Sequence, residues 1–200
     1  MVWSMSALSR IVVFTGSADG TDPAYLASAA AVGEAIARAG LGLVYGGGNV
    51  GLMGTVASAG RAAGGEVIGV IPEALVDKEI AHHDLTRLEV VSNMHERKMR
   101  MADLSDAFVM LPGGAGTLEE FFEAWTWQQL GIHTKPIAVY DVNGFWDPLL
   151  AMLDNLVSQG FIAPRFRDGL IVASDPEELL DKLASWEAPP AKWSAPTAAE

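Results

Sequence analysis

The residues with the clearest chemical meaning form a glycine-rich segment, PGGAGT, at positions 112–117. It follows an apolar run and opens a stretch with helical periodicity. Three glycines and a hydroxyl at the start of a helix can direct several N–H groups at one anion, and a phosphate is the natural occupant of such a site. The segment therefore predicts a phosphate-binding loop.

Glu120 follows Thr117 by three residues, and this spacing leaves two interpretations open. Thr-x-x-Glu is the pattern of a capping box, in which Glu120 would bond only to the backbone at the start of its own helix. A carboxylate beside a phosphate loop can equally act as a general base or stabilise developing positive charge. The residues alone do not decide between cap and catalyst.

A second glycine-rich segment, GGGNVGLMG, occupies positions 46–54. Gly46, Gly48 and Gly51 have the spacing of the dinucleotide fingerprint, but they follow the second strand, and only Glu73 loosely supplies the expected acidic residue. A nicotinamide or flavin site and simple tight strand-to-helix packing both remain open. The chain contains no Gly-Lys-Ser/Thr sequence, which excludes a Walker-type phosphate loop.

A helix predicted to begin after Asn93 carries cations where a helix disfavours them. Asn93-x-x-Glu96 is a capping box, so Arg97 and Lys98 fall in the first turn, at the positive end of the helix dipole. Arg97 also belongs to an apolar stripe and is predicted to point inward, which indicates an anion nearby. Pairing with an acidic neighbour, or snorkelling to solvent, is the alternative. The stripe consists of Met94, Met101 and Leu104.

The histidines give no sign of a metal site. They lack the spacing of ligand motifs, and the chain has no cysteine to assist, so we expect hydrogen-bonded or solvated side chains and no bound metal. Trp125 and Trp127 point to different faces of their helix, where core or subunit contact is favoured over stacking on a base. The histidines are His82, His83, His95 and His133.

Short β-branched apolar runs alternate along the chain with longer helical patterns. This alternation predicts an α/β fold, a Rossmann-like parallel sheet with helices on both faces in a single domain. Ligands of such sheets bind outside the carboxyl ends of the strands, where both glycine-rich segments should lie. The predicted strands are residues 11–15, 42–45, 67–71, 87–91, 107–111, 137–140 and 170–172. The predicted helices are residues 23–39, 52–63, 94–105, 118–130, 146–158 and 176–185.

Composition limits the class of protein. With 200 residues, 50% hydrophobic and 19% charged, we expect one packed domain over residues 1–186 and a Pro/Ala-rich tail, 187–200, that is disordered or loosely packed. Thirteen Lys+Arg against 25 Asp+Glu give a net charge of −12, so we expect no nucleic acid and no membrane partner. The lack of cysteine, of a signal-like start and of a long apolar run predicts a cytoplasmic protein.

Taken together, the motifs PGGAGTLEE, MHERK and GGGNVGLMG resemble the LOG family, the cytokinin riboside 5′-monophosphate phosphoribohydrolases. The resemblance spans about residues 10–185, and PGGxGTxxE with an upstream Arg-Lys pair is highly specific. It implies a Rossmann-like fold, a homodimer with sites near the subunit interface, and hydrolysis of the N-glycosidic bond of an adenine-type nucleoside 5′-monophosphate. No cofactor is implied.

The residue roles known in the family can be assigned to this chain by matching positions within the motifs. By resemblance, Arg97 and Glu120 are the catalytic pair, and Gly46, Gly47 and Gly48 form a further wall of the phosphate pocket. Ala115 replaces the tyrosine usual in plant members, which leaves the base preference open. The other positions matched to substrate binding are Glu79, Lys98, Gly113, Gly114, Gly116, Thr117, Glu119 and Thr126.

Older members of this family carry the label lysine decarboxylase. That chemistry normally needs a lysine bound to pyridoxal phosphate, and nothing in this sequence singles out such a lysine. Breaking a glycosidic bond instead develops positive charge on the ribose, which a carboxylate such as Glu120 can stabilise while activating water. Arg97 keeps its proton at neutral pH, so an electrostatic role is expected.

The alternative function is a protein of the same fold that binds its ligand without turnover, such as a nucleotide-binding or molybdenum-cofactor carrier. Such proteins share the glycine-loop sheet. The presence of both Arg97 and Glu120 within the full motif favours the hydrolase.

Overall fold

The computed structural model describes residues 8–76, 81–82 and 84–193. Seven parallel strands form one sheet in the order β4-β3-β2-β1-β5-β6-β7, which confirms the predicted Rossmann-like α/β fold. Every predicted strand is present, with its ends shifted by no more than one residue. The strands are β1 (Arg10–Phe14), β2 (Gly42–Tyr45), β3 (Val67–Pro72), β4 (Arg87–Val91), β5 (Ala107–Met110), β6 (Ile137–Tyr140) and β7 (Ile171–Ala173).

Helices cover both faces of this sheet, and they are α1 (Pro23–Arg38), α2 (Gly51–Ala62), α3 (Glu73–Val76), α4 (Met94–Asp103), α5 (Ala115–Gln129), α6 (Asp147–Ser158), α7 (Pro164–Asp168) and α8 (Pro176–Ser185). Side chains of α1, α2 and α8 pack on one face, and those of α4 to α7 on the other. Because both faces are covered, β2, β5 and β6 are buried throughout, as their unbroken apolar sequences predict. Within the described ranges, no helix has the length and hydropathy needed to cross a membrane.

Two short helices, α3 and α7, were not predicted. Each has only four or five residues, which is too short for an apolar stripe to repeat. The beginning of α7 nevertheless has a local cause, because Pro164 occupies its first turn and its fixed φ favours a helix start.

The chain after α8 runs back over the end of the sheet opposite the strands' carboxyl ends. Trp186 Nε1 donates to the carbonyl of Gly169 at 2.7 Å, and the amide of Lys192 donates to the carbonyl of Gln129 at 2.8 Å. Residues 194–200 of the predicted tail lie outside the described residues.

His133 makes stability depend on pH. Its Nδ1 accepts a hydrogen bond from the Lys135 amide at 3.2 Å, so Nε2 carries the proton and donates to the carbonyl of Ala124 at 3.0 Å. Burial lowers the pKa of His133 to about 4, compared with 6.5 for an ordinary histidine. As the pH falls, His133 therefore becomes protonated at a higher pH in the unfolded chain than in the folded protein, where its ring stays neutral.

We expect the free energy of unfolding to fall as the pH drops from about 6.5 towards about 4, because the unfolded chain binds the extra proton. Denaturant titrations across this range should show a weaker dependence on pH for His133→Phe, which retains a ring against Phe108 but cannot titrate. Identical pH profiles for the two proteins would show that His133 does not contribute.

Candidate active site

A cleft of about 350 Å³ opens at the carboxyl ends of β1, β2 and β5. In the sheet order β2-β1-β5, the chain proceeds from β1 towards one edge and returns on the other side of β1. Connections on the two sides diverge there and leave a crevice, which is the usual ligand position in such sheets. The two glycine-rich segments meet at this crevice, as the sequence predicts.

The PGGAGT loop supplies one wall through the start of α5. Gly114 is the N-cap, so no side chain caps the first amides of the helix. The Leu118 amide makes the first hydrogen bond of the helix, to the Gly114 carbonyl at 3.1 Å. The amides of residues 115–117 therefore precede the helical ladder and can serve a ligand. Gly114, Gly116 and Thr117 line the cleft, whereas Gly113 packs against the Thr117 side chain and leaves no space for a Cβ.

The capping-box interpretation of Glu120 is wrong. The helix begins at Ala115 rather than at residue 118, so Thr117 lies inside the first turn and does not cap it. Glu120 lies one turn further along, half-buried, and lines the cleft together with Glu119 and Arg97. Its place in the cleft is consistent with the catalytic alternative.

The end of β1 lies between the two glycine-rich segments, and sequence reasoning missed it. The Gly16 amide donates to the Pro112 carbonyl at 3.1 Å, and the Gly16 carbonyl accepts from the Met53 amide at 3.2 Å. Gly51 has φ of +59°, and a Cβ there would clash with the backbone of Ser17. Thr15, Gly16 and Ser17 all line the cleft. The available signal was the sheet order, since β1 is the central strand at the switch point.

Arg97 is buried, with 5% of its surface exposed, which confirms the inward direction predicted from its helical stripe. Its Nε donates to the Val70 carbonyl at 3.1 Å and its Nη2 to the Gly46 carbonyl at 2.6 Å. Arg97 thus ties α4 to the ends of β2 and β3 while it lines the cleft. The N-cap of α4 is Asn93, as predicted, with its Oδ1 accepting from the Glu96 amide at 3.0 Å.

Lys98, the next residue, turns away from the cleft and towards α5. Its Nζ is 2.7 Å from Glu119 Oε1 and 2.9 Å from Glu123 Oε2. Burial alone would lower the pKa of Lys98, but its hydrogen bonds to these two carboxylates raise it above its ordinary value. Lys98 is therefore a cation held between two anions.

The other predicted positions lie at different distances from the cleft. Gly46 lines it, and Gly47 and Gly48 are buried beside it, where the Gly47 carbonyl accepts from the His82 amide at 3.1 Å. Thr126 is exposed on a later turn of α5, away from the residues that line the cleft. Glu79 lies outside the described residues.

The glycines of the GGGNVGLMG segment have clear packing roles. Gly47 has φ of +81°, a conformation that favours glycine, and a Cβ at Gly46 would overlap the Arg97 guanidinium. A Cβ at Gly54 would press on the backbone of Asn49. Tight packing, one of the two open interpretations, is thus required by this backbone.

Apolar side chains complete the cleft and come from both faces of the sheet, namely Val13, Met53, Leu75, Met94 and Met101. Such a surface suits the flat apolar ring of a base or a similar group. Trp125 is not part of it: with 1% exposure it lies in the core, which confirms the core alternative for this residue.

No cluster of three or more potential metal ligands occurs among residues 8–76, 81–82 and 84–193. Two of the histidines, the buried His82 and the half-buried His133, are hydrogen-bonded, as expected. His82 Nε2 lies 3.0 Å from Ser58 Oγ, and His133 contacts Ala124 and Lys135. His83 lies outside the described residues.

The fold and the cleft together define a Rossmann-like α/β protein with glycine-loop helix starts, a carboxylate and an arginine at its switch point. Residues 53–183 match a family model described as "Possible lysine decarboxylase", and the chain belongs to this family.

Named relatives specify the branch of the family. The chain is 48% identical over 176 residues to the cytokinin riboside 5′-monophosphate phosphoribohydrolase of Rhodococcoides fascians, covering 88% of this chain and 89% of that protein. It is 46% identical over 181 residues to the LOG enzyme of Oryza sativa subsp. japonica, covering 90% of this chain and 75% of the relative. These matches confirm the resemblance to the LOG family.

Solved structures share the fold at lower identity. The molybdenum cofactor binding protein from Rippkaea orientalis superposes with a TM-score of 0.67 at 24% identity, covering 90% of this chain and 97% of that one. The molybdenum cofactor carrier protein from Chlamydomonas reinhardtii gives a TM-score of 0.65 at 20% identity, covering 88% and 95%. At these identities the likeness supports the fold alone.

Proposed function

We propose that this protein hydrolyses the N-glycosidic bond of adenine-type nucleoside 5′-monophosphates, including cytokinin riboside monophosphates, and releases the free base and ribose 5-phosphate. One observation carries this proposal: Glu120 and Arg97 line the same cleft as the uncapped start of α5. The names of the relatives at 43–48% identity point to the same reaction.

The phosphate is held by the glycine-rich walls. The amides at the start of α5, from Ala115 to Thr117, carry the positive end of the helix dipole and suit a dianion. The start of α2 also lacks a side-chain cap and faces the β1 end that lines the same cleft. Binding the phosphate here orients the ribose, so binding energy from the phosphate helps to lower the barrier for bond cleavage at C1′.

Glu120 then acts on the ribose. As the bond from C1′ to the base nitrogen breaks, positive charge develops on the sugar, and the Glu120 carboxylate stabilises it. The carboxylate takes a proton from water while the water oxygen bonds to C1′. The base leaves with the bonding electron pair and takes a proton from solvent, and Glu120 returns the proton of the attacking water to solvent. Arg97 stays protonated and contributes charge and hydrogen bonds.

If the glycine-rich walls hold the phosphate, kcat/KM should depend strongly on the 5′-phosphate of the substrate. Adenosine forfeits the charge-assisted bonds and leaves their donors unpaired, which should cost at least about 3 kcal/mol, or about 100-fold in kcat/KM relative to AMP. ATP should also be poor, because the three amides that precede the helical ladder at the start of α5 suit one phosphate group rather than three. Initial rates of base release measured by chromatography check both; equal kcat/KM values for adenosine, AMP and ATP would contradict the phosphate assignment.

We also propose a homodimer, in a cytoplasmic setting. The support is family resemblance together with exposed apolar side chains at Val90, Met94 and Met99, of which Met94 lines the cleft. Trp125, for which core or subunit contact was predicted, does not supply this surface, because it lies in the core. Multi-angle light scattering at micromolar protein should give twice the chain mass, and a monomer mass would contradict the proposal.

A further inference from the structure

An ion cluster joins α4 to α5 directly beside the two candidate catalytic side chains. Lys98 follows Arg97 on α4, Glu119 precedes Glu120 on α5, and Lys98 Nζ lies 2.7 Å and 2.9 Å from Glu119 and Glu123. We propose that Lys98 and Glu123 are positioning residues that fix the separation of α4 and α5 and thereby hold Arg97 and Glu120 in reacting geometry. This inference rests on the proposed function.

The cluster is built to hold a fixed geometry. Glu119 and Glu123 are one helical turn apart, so their carboxylates lie on the same side of α5 and both reach one ammonium. A lysine with two acceptors on one helix is restrained more than a lysine in a single pair. The Lys98 side chain is only 10% exposed and that of Glu123 27%, so solvent screens this pair less than an ordinary surface pair, whereas Glu119 is 54% exposed.

The surroundings place Lys98 and Glu123 outside the substrate cleft, while Glu119 belongs to both the cluster and the cleft. Lys98, Glu120 and Glu123 border a small separate cavity of about 10 Å³, whose other walls include Phe108 and Trp127. Among the described residues that line the substrate cleft, Glu119 and Glu120 appear but neither Lys98 nor Glu123 does. Glu120 therefore has the cleft on one side and the ion cluster on the other.

Removal of Lys98 has a defined consequence. Glu119 and Glu123, one turn apart on α5, then lose the cation that they share, and like charges at this spacing repel. Repulsion changes the side-chain directions on α5 and removes one of the ties between α5 and α4, the helix that carries Arg97. A displacement of about 1 Å can cost about 100-fold in rate while the contacts to the phosphate remain.

The role differs from direct substrate contact, which the family resemblance implies for Lys98, and kinetics separate the two. We expect Lys98→Met to lower kcat on AMP about 100-fold and Glu123→Gln about 10-fold, each with KM changed less than about threefold. In the double variant, Glu123→Gln should add little to the loss from Lys98→Met, since both remove the same ion pair. Asp154→Asn is the matched control, because Asp154 pairs with Arg167 between α6 and α7 and should leave kcat unchanged.

Hydrogen exchange provides a readout that does not depend on activity. Amides of α4 and α5 should exchange faster in Lys98→Met and Glu123→Gln than in wild type, and at the wild-type rate in Asp154→Asn. Unchanged exchange in both variants, a silent Glu123→Gln, or a rise in KM alone for Lys98→Met would each overturn the positioning role. If wild type releases no base, the proposed function fails, and the exchange experiment still decides whether the cluster holds α4 to α5.

Discussion

Glu120→Gln is expected to lower base release from AMP by about 1,000-fold while nucleotide binding and the melting temperature stay near wild type. The substitution removes the negative charge that stabilises the ribose cation and accepts the water proton, but it keeps the size of the side chain. Because Glu120 does not cap α5, whose N-cap is Gly114, fold stability should be spared. Chromatographic assay of adenine, calorimetric binding of AMP and a thermal melt measure the three quantities.

The control for this variant is Glu34→Gln. Glu34 is also a helical carboxylate in an ion pair, with Arg38 at 2.6 Å, but it lies on α1 and does not line the cleft. It should retain wild-type rates. A large fall in melting temperature for Glu120→Gln, with activity lost only in proportion to unfolded protein, would remove Glu120 from the catalytic pair.

Arg97→Lys is expected to impair both catalysis and stability. The guanidinium bonds the Val70 and Gly46 carbonyls from two different nitrogens, and a single ammonium cannot reach both positions while also serving the cleft. A buried carbonyl left without a donor costs about 1–3 kcal/mol, so the melting temperature should drop by several degrees. We expect kcat/KM to fall at least about 100-fold in the protein that remains folded.

Arg100→Lys serves as the comparison, since Arg100 lies on the same helix and bonds Glu89 on the partly solvated side of α4. It should change kcat/KM little, because Arg100 does not line the cleft, and it should lower the melting temperature less than Arg97→Lys, because the Arg100 side chain is 42% exposed. Near-normal kinetics and stability for Arg97→Lys would mean that only its charge matters, or that Arg97 is not part of the machinery.

The fold was predictable because each strand has a local sequence signal, a short apolar run bounded by turn residues. Runs such as GLVY at 42–45 and IAVY at 137–140 are continuous apolar segments bounded by turn residues, and only a buried parallel sheet covers both sides of them. The inward direction of Arg97 was predictable for a related reason: it shares a helical stripe with Met94 and Met101, and helical spacing fixes which residues share a face.

The start of α5 was harder to predict. Gly114, Ala115 and Gly116 carry no cap signal, and two of the three are poor helix formers, so the periodic pattern in the sequence begins only at Leu118. In the structure the helix starts earlier because the loop is fixed from outside, by the bond from the Gly16 amide to the Pro112 carbonyl. Such a tertiary contact has no trace in the local sequence.

The site features that the sequence did not predict depend on contacts between distant segments of the chain. Thr15 and Ser17 belong to the cleft because β1 lies at the switch point, which depends on the order of all seven strands. The pairing of Lys98 with Glu123 likewise requires α4 and α5 to be neighbours on one face of the sheet. Charge and spacing identified Lys98 as unusual without identifying its partner.

The central claim is hydrolysis at the cleft, and the most direct measurement is product stoichiometry. Purified protein is incubated with excess AMP, and in parallel with an N6-prenylated AMP, and free base and ribose 5-phosphate are quantified over many turnovers. We expect equimolar amounts of base and ribose 5-phosphate. Both amounts should increase linearly with time and with protein concentration, with no metal or cofactor added. Nucleotide recovered intact and bound at one equivalent per site, with neither product formed, would contradict it and support a carrier instead.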